Sequence, residues 1–531
     1  MKKTKFLATM VSAITFVVSG VGMAGCGGNK KAVDTDQHLE MYVLNIGLGY
    51  EWAPAIADAF AKEAWVKEKY PNFSYSYSFN DEWDFASDRM KAGKAVNTAD
   101  ILFGNNLQTL YNTTKDGAPV LTDLTAIANE QVIGENVLFK DKLYPEFVAP
   151  NTNPDTGEFI TVPWGIGYQG LLYNETILTN LGFEVPVTTK EFLDICEAIK
   201  TRTPDATYNE DYAVIGCYTS DYWANAFPIW WAQYEGMEEY TNFFNGLSEG
   251  KLSRDIFKQT GRLKSLEALH DTLSKTNGYT TENSGVYQFM EAQTNFLMGK
   301  GVFYMCGDWF DYEMRAIAPG LQKTYDYDVR LMRMPVLSSV REKTSIESDE
   351  KMAALIREID EGKAYADITV TGISEKDYNT VKTARSINNL GGGVTNMAVP
   401  SYATAKELAL DFVRFFATDK AQEIFARTTY GGSTGFKYDP KVSNPTLYNE
   451  LSLVNRDKFD ILNGDITILP GTSAFPLVYK GGLTTSVYMI DADSFAHMFG
   501  TTTKTAKDFF DYDSDYMTTD RWNMLLSMSG Y

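Results

Sequence analysis

The 531 residues carry 48 Lys and Arg against 69 Asp and Glu, a formal charge of −21, and 14% of the side chains are aromatic. A surface that acidic repels phosphate backbones and anionic headgroups, which excludes nucleic-acid binding and adhesion through basic patches. His38, His270 and His497 are the only histidines and lie too far apart for metal-ligand spacing, while the rings outnumber what core packing alone requires, so some are expected to face a ligand.

The chain opens with Lys2, Lys3 and Lys5, followed by an apolar, small-residue run from Leu7 to Gly25 that stops at Cys26. This pattern predicts a signal peptide over residues 1–25. Met23-Ala24-Gly25-Cys26 resembles a bacterial lipobox, which makes Cys26 the expected lipid attachment site, palmitate included, and the first residue of the mature chain. Residues 26–38 are polar and aperiodic, as a flexible tether would be. No later segment approaches a membrane span. Cys196, Cys217 and Cys306 form no legible disulfide framework; each reads as a small buried apolar residue, with a Cys196–Cys217 bridge left open.

Strand and helix patterns alternate from residue 39. Leu39 to Ile46 reads as a strand, and Trp52, Ile56, Ala59 and Phe60 recur at helical spacing behind it. Phe73 to Phe79 is the next strand, 82–94 a helix and Ile101 to Phe103 a third strand, which together predict an α/β arrangement with parallel pairing. Ile160 to Pro163 and Leu171 to Tyr173 are extended around a glycine-rich stretch at 164–170. Thr188 stands three residues before Glu191 as a capping box, with Phe192, Ile195, Cys196 and Ile199 on one helical face. A further helix is expected over 287–298 with Gly299 as its stop, then strands at 302–305 and 396–399 and one helix over 405–426. The polar stretch 338–382 reads as surface helical turns.

Three blocks, in order, resemble family 1 extracellular solute-binding proteins of ABC importers. They are Val162-Pro163-Trp164 through Asn174 and on to Pro186; Phe296-Leu297-Met298-Gly299-Lys300-Gly301 through Gly307-Asp308-Trp309; and Gly391-Gly392-Gly393, the strand to Val399, and the helix from Ala405 with Phe415-Phe416-Ala417-Thr418-Asp419-Lys420-Ala421-Gln422. The second block is the most specific. The resemblance implies an α/β, two-lobe, periplasmic-binding-protein-like fold (type II, Venus-flytrap) with a ligand cleft between the lobes. It places residues 39–165 and 336–425 in an N-terminal lobe and 166–335 and 426–531 in a C-terminal lobe, with crossings near Gly165 and Pro335. It further implies a carbohydrate ligand, an ABC permease pair with a cytoplasmic ATPase, a monomer held at the outer face of the cell membrane by its lipid, no cofactor and no catalysis. The segments 338–382 and 441–531 exceed the family pattern and either reshape the ligand edge or thicken the surface.

A sugar presents hydroxyls on its rim and C–H groups on its faces, so a site for it needs flat aromatic platforms beside short planar hydrogen-bonding groups. Asp308 and Trp309, emerging from a strand end after Gly307, fit that need best. Trp164 and Tyr168 either rest against a ligand or lock the crossing. Trp223, Trp230 and Trp231 bracket Pro228, and at least one should face the ligand. Trp52, Asp81 and Trp83 lie where strands give way to helices, and Asn105 and Asn106 follow the 101–103 strand at the same edge, where open α/β sheets take ligands.

Enzyme motifs read weakly. Gly165-x-Gly167-x-x-Gly170 matches a dinucleotide fingerprint in letters but is followed by an extended segment, not a helix. Gly431-Gly432-Ser433-Thr434-Gly435, with Asp491 and His497 downstream, follows a helix where a nucleophile elbow requires a strand. Asn151-x-Asn153-x-Asp155-x-Gly157 has calcium-loop spacing without the distal Glu and reads as a hairpin turn.

Overall fold

The computed structural model describes residues 17–19, 34–218, 222–325, 327–391, 395–488, 494–501 and 503–531. Cys26, the cleavage site, most of the tether, and Gly392, Gly393 and Asp491 lie outside the described residues. The chain divides into two compact units: unit 1 holds residues 1–165, 392–429 and 433–438, and unit 2 holds 166–391, 430–432 and 439–531.

In unit 1 the strand His38–Leu44 pairs in parallel with Ser74–Asn80 on one side and Ile101–Asn105 on the other. Thr395–Ala398 continues the sheet antiparallel to Ile101–Asn105, Val162–Pro163 closes it, and the short strand Val17–Ser19 pairs with Ser74–Asn80 at the far edge. The helix Trp52–Phe60 forms the first crossover. Its Pro54 falls in the first turn, where no intrahelical N–H is needed. Trp52 lies almost flat on Trp164, with ring centroids 5.1 Å apart, and meets Phe103 edge-on at 4.8 Å. The helix expected over 405–426 is two, Lys406–Phe416 and Asp419–Thr428, because the Thr418 side chain accepts from the Ala421 N–H and starts the second.

Unit 2 is built on the strand Gly167–Asn174, which explains why the glycine-rich fingerprint cannot open a helix: it is already strand. Phe303–Gly307 pairs antiparallel along one edge of that strand. Ile387–Gly391 and Val329–Met332 share the other edge, also antiparallel. Thr188 caps the helix Thr189–Thr201 by accepting from Glu191 N–H at 3.2 Å. The Glu191 carboxylate turns back to Val187 N–H, one residue short of the reciprocal capping-box bond.

Residues 336–391 lie in unit 2, not in the first lobe where the sequence placed them. The cause is local. The Val336 backbone pairs with Val187 and Thr189, the Thr188 hydroxyl donates to Asp349 at 2.6 Å, and Met352, Ile356 and Val381 join the unit 2 core. The tail does likewise, since Phe495, Phe509 and Trp522 are core residues and Arg262 pairs with Asp513 at 2.7 Å with both side chains fully buried. So the two extra segments are structural parts of unit 2, not a surface layer.

Candidate functional site

The Phe303–Gly307 strand ends on the residues the sequence marks most strongly. A Cβ on Gly307 would stand 2.2 Å from a Trp309 ring carbon, so only glycine lets that ring fold over the strand end. Trp309 is half-buried and leans on Tyr222, centroids 5.3 Å apart. Tyr222 in turn meets Tyr304 at 6.4 Å. One turn after Trp309, on the same helical face, comes Glu313, which accepts from the Gln293 side-chain amide at 2.6 Å. Burial pushes the Glu313 carboxyl up to about 7. Among the described residues the buried Tyr304 hydroxyl and Gln293 Oε1 have no hydrogen-bond partner. Trp309 and Tyr222, both half-buried, thus present ring surface beside the half-buried Glu313 carboxylate, while Tyr304 and Gln293 are fully buried and support them from beneath. Sequence reasoning found Trp309 and missed the other four, although the four-residue step from Trp309 to Glu313 was legible.

Asp308 does not face a ligand. Its carboxylate is fully buried, pairs with Lys458 at 3.2 Å and accepts from Tyr168 N–H at 3.2 Å. Burial pushes Asp308 up and Lys458 down from their usual ranges, and each opposes the shift of the other. Tyr168 is equally internal: its ring is buried and its hydroxyl donates to Asn388 at 2.5 Å, tying two neighbouring strands. The expectation that one of Trp223, Trp230 and Trp231 is exposed fails as well. All three belong to the unit 2 core, with indole N–H groups donating to Ile215 O, Pro335 O and Gln259 Oε1. The bond to Pro335 also fixes that residue inside unit 2.

In unit 1, Trp52 and Trp164 are core rings, donating to Gly49 O at 3.1 Å and Gly104 O at 3.0 Å. Trp83 is the exception, 52% exposed. It stands after the Ser74–Asn80 strand beside a surface depression of about 460 Å³ that Glu82, Asp84, Phe85 and Arg89 share. Asp81 is exposed next to it. Tyr50, which sequence reasoning missed, stacks on Phe79 with centroids 3.6 Å apart. Asn105 is buried, with no partner for its Oδ1 among the described residues. Asn106 adopts a left-handed backbone (φ 54°) and receives Thr109 N–H, so its role is the turn.

The remaining motifs have structural explanations. Asn153 Oδ1 accepts from the Asp155 and Thr156 amides, closing a hairpin turn with Gly157 at φ 77°. His497 directs Nδ1 to the Gly285 carbonyl at 3.0 Å. Cys196, Cys217 and Cys306 are buried, and none is joined in a disulfide among the described residues.

Among solved structures, the fold resembles a chitin oligosaccharide binding protein (15% identity, TM-score 0.56, covering 93% of this chain and all of that one). It also resembles a maltose-bound protein of T. maritima (15%, 0.55, 90% and 98%). A third is a structure from work on xylan utilization by Caldanaerobius polysaccharolyticus (14%, 0.55, 91% and 100%). No curated protein matches the chain. The model of the bacterial extracellular solute-binding protein family matches residues 48–423. With the family's blocks carried by the strands and helices described above, the chain belongs to the bacterial extracellular solute-binding proteins.

Proposed function

We propose that the chain is an extracytoplasmic lipoprotein, anchored through Cys26, that captures a carbohydrate, preferably an oligosaccharide, and delivers it to an ABC importer without catalysing a reaction. The observation that carries this reading is the half-buried Trp309 ring over Gly307, with Tyr222 against it and the half-buried Glu313 carboxylate beside it, held by the buried Gln293 amide. An aromatic face bordered by planar acceptors and hydroxyls is what a pyranose ring requires. The chitin oligosaccharide and maltose proteins among the similar structures support the same ligand class. Trp83, Asp81 and Tyr50 are the candidate contacts of unit 1. The permease reads closure of the two-lobe fold, and the ligand drives closure only to the extent that it binds the closed state better than the open one.

A thermal-shift screen of the mature chain against mono- and oligosaccharides, with peptides, amino acids and polyamines as the contrast set, tests this. Ligand at a hundred times its Kd adds about 2.7 kcal/mol to stability, a readable rise in midpoint. A rise with a peptide or polyamine alone leaves a binding protein but rejects the carbohydrate, and consumption of a stabilising glycan replaces binding with catalysis.

A further inference from the structure

Away from the Trp309 cluster, unit 2 carries a pocket of about 790 Å³, within the range of small-molecule sites. The two segments that exceed the family pattern build most of it. Residues 359–365, with Tyr378 and Lys382, come from the first, and Asp457 to Asp465 from the second. They meet where Lys382 pairs with Asp465 at 3.0 Å. Arg333, on the loop after the Val329–Met332 strand, lines the floor.

The charges lining this pocket balance, four basic against four acidic, in a chain whose net charge is −21. Asp360 pairs with Arg385 at 2.7 Å, Asp457 with Arg330 at 2.6 Å and Asp460 with Lys441 at 2.8 Å. Lys363 pairs with Glu358 at 2.9 Å. Arg333 has no carboxylate partner among the described residues; its hydrogen bond runs to the Asp465 carbonyl at 2.7 Å and leaves guanidinium donors toward the pocket. The wall includes Tyr365, 37% exposed, braced by Tyr378 at 5.8 Å and by a bond from its hydroxyl to Ile373 O. Ile359, Leu331 and Ile461 add apolar surface. A pocket with balanced charge, a braced exposed ring and spare planar donors suits an uncharged, hydroxyl-rich ligand better than an ion.

We propose that this pocket is a second saccharide site, distinct from Trp309, that takes a short neutral glycan against Tyr365 with Arg333 donating to its hydroxyls. The inference rests on the carbohydrate reading above. The test is calorimetric titration of the mature chain with maltotriose, xylotriose, chitotriose and raffinose, and with galacturonate as the charged contrast. The expected result is two binding phases for one of the neutral sugars. Trp309→Ala removes the tighter phase, while Tyr365→Ala and Arg333→Gln each weaken the looser one at least fivefold and leave the tighter unchanged, with melting midpoints like the parent's. A single phase that Trp309→Ala abolishes and neither pocket variant alters overturns the second site alone. Looser binding confined to galacturonate, weakened by salt and lost in Arg333→Gln, also overturns it, in favour of an anion. No binding of any sugar by the parent rejects both this site and the carbohydrate reading.

Discussion

Asp308 and Lys458 form an ion pair at 3.2 Å with neither side chain exposed. The pair joins the residue before the Trp309 platform to a helix of the tail, Leu453–Leu462, and Lys458 also donates to the Gly431 carbonyl. The same helix holds Asp311 through Asn455, at 2.5 Å, and Ser452 at its N-cap bonds that carboxylate too. The extra C-terminal sequence therefore sets the position of the Trp309 turn.

Breaking the pair from one side leaves a buried charge alone, which costs about 3–5 kcal/mol. Lys458→Met is expected to lower the unfolding free energy by that amount, and Asp308→Asn combined with Lys458→Met to recover much of it. The measurement is equilibrium denaturation of the three proteins.

Glu313 makes stability depend on pH. Its folded-state value of about 7 lies above the ordinary 4.5, so its contribution is fully present below about pH 4.5 and is lost as pH rises through 7. At about 1.4 kcal/mol per pH unit the loss is on the order of 3 kcal/mol by pH 8. Melting midpoints of Glu313→Gln and the parent should converge below about pH 4.5, separate progressively between there and about pH 7, and stay apart above it, the parent being the lower. Asp311 and Asp513, each raised to about 6 by burial, act in both proteins and drop out of the difference.

Ring by ring, exposure separates binding from folding. Trp231→Ala or Trp52→Ala removes a core indole and should cost about 3–5 kcal/mol. Trp83→Ala should change stability by less than about 0.5 kcal/mol while weakening ligand binding. Denaturation midpoints and titrations on the same three variants check both halves.

Gly307→Ala sets a methyl group where the Trp309 ring now lies. The ring must move, and a loss of about 1.4 kcal/mol, or tenfold in affinity, is expected, together with a shift in tryptophan fluorescence. Affinity equal to the parent's would show that the ring position is irrelevant to binding.

The strands Gly167–Asn174 and Phe303–Gly307 were legible because a short apolar run starts after Gly170 in the first and stops at Gly307 in the second, and the family blocks fall on them. The aromatic nominations were less legible, for a physical reason. Ala226–Glu235 is apolar nearly all round, which marks a buried helix, and reading Trp230 and Trp231 as loop rings overlooked it. Trp52 and Trp164 bury each other across more than a hundred positions, and Lys458 reaches Asp308 across 150. No local pattern announces such pairs. Thr418 was visible as a cap and should have divided the 405–426 helix.

The central claim is that Trp309 is the platform for a saccharide. Isothermal titration of the mature chain and of Trp309→Ala with the oligosaccharide that most raises the melting midpoint tests it directly. Saturable binding by the parent, weakened about tenfold or more in a variant that melts like the parent, is the predicted result. Equal affinity in the two proteins would contradict it.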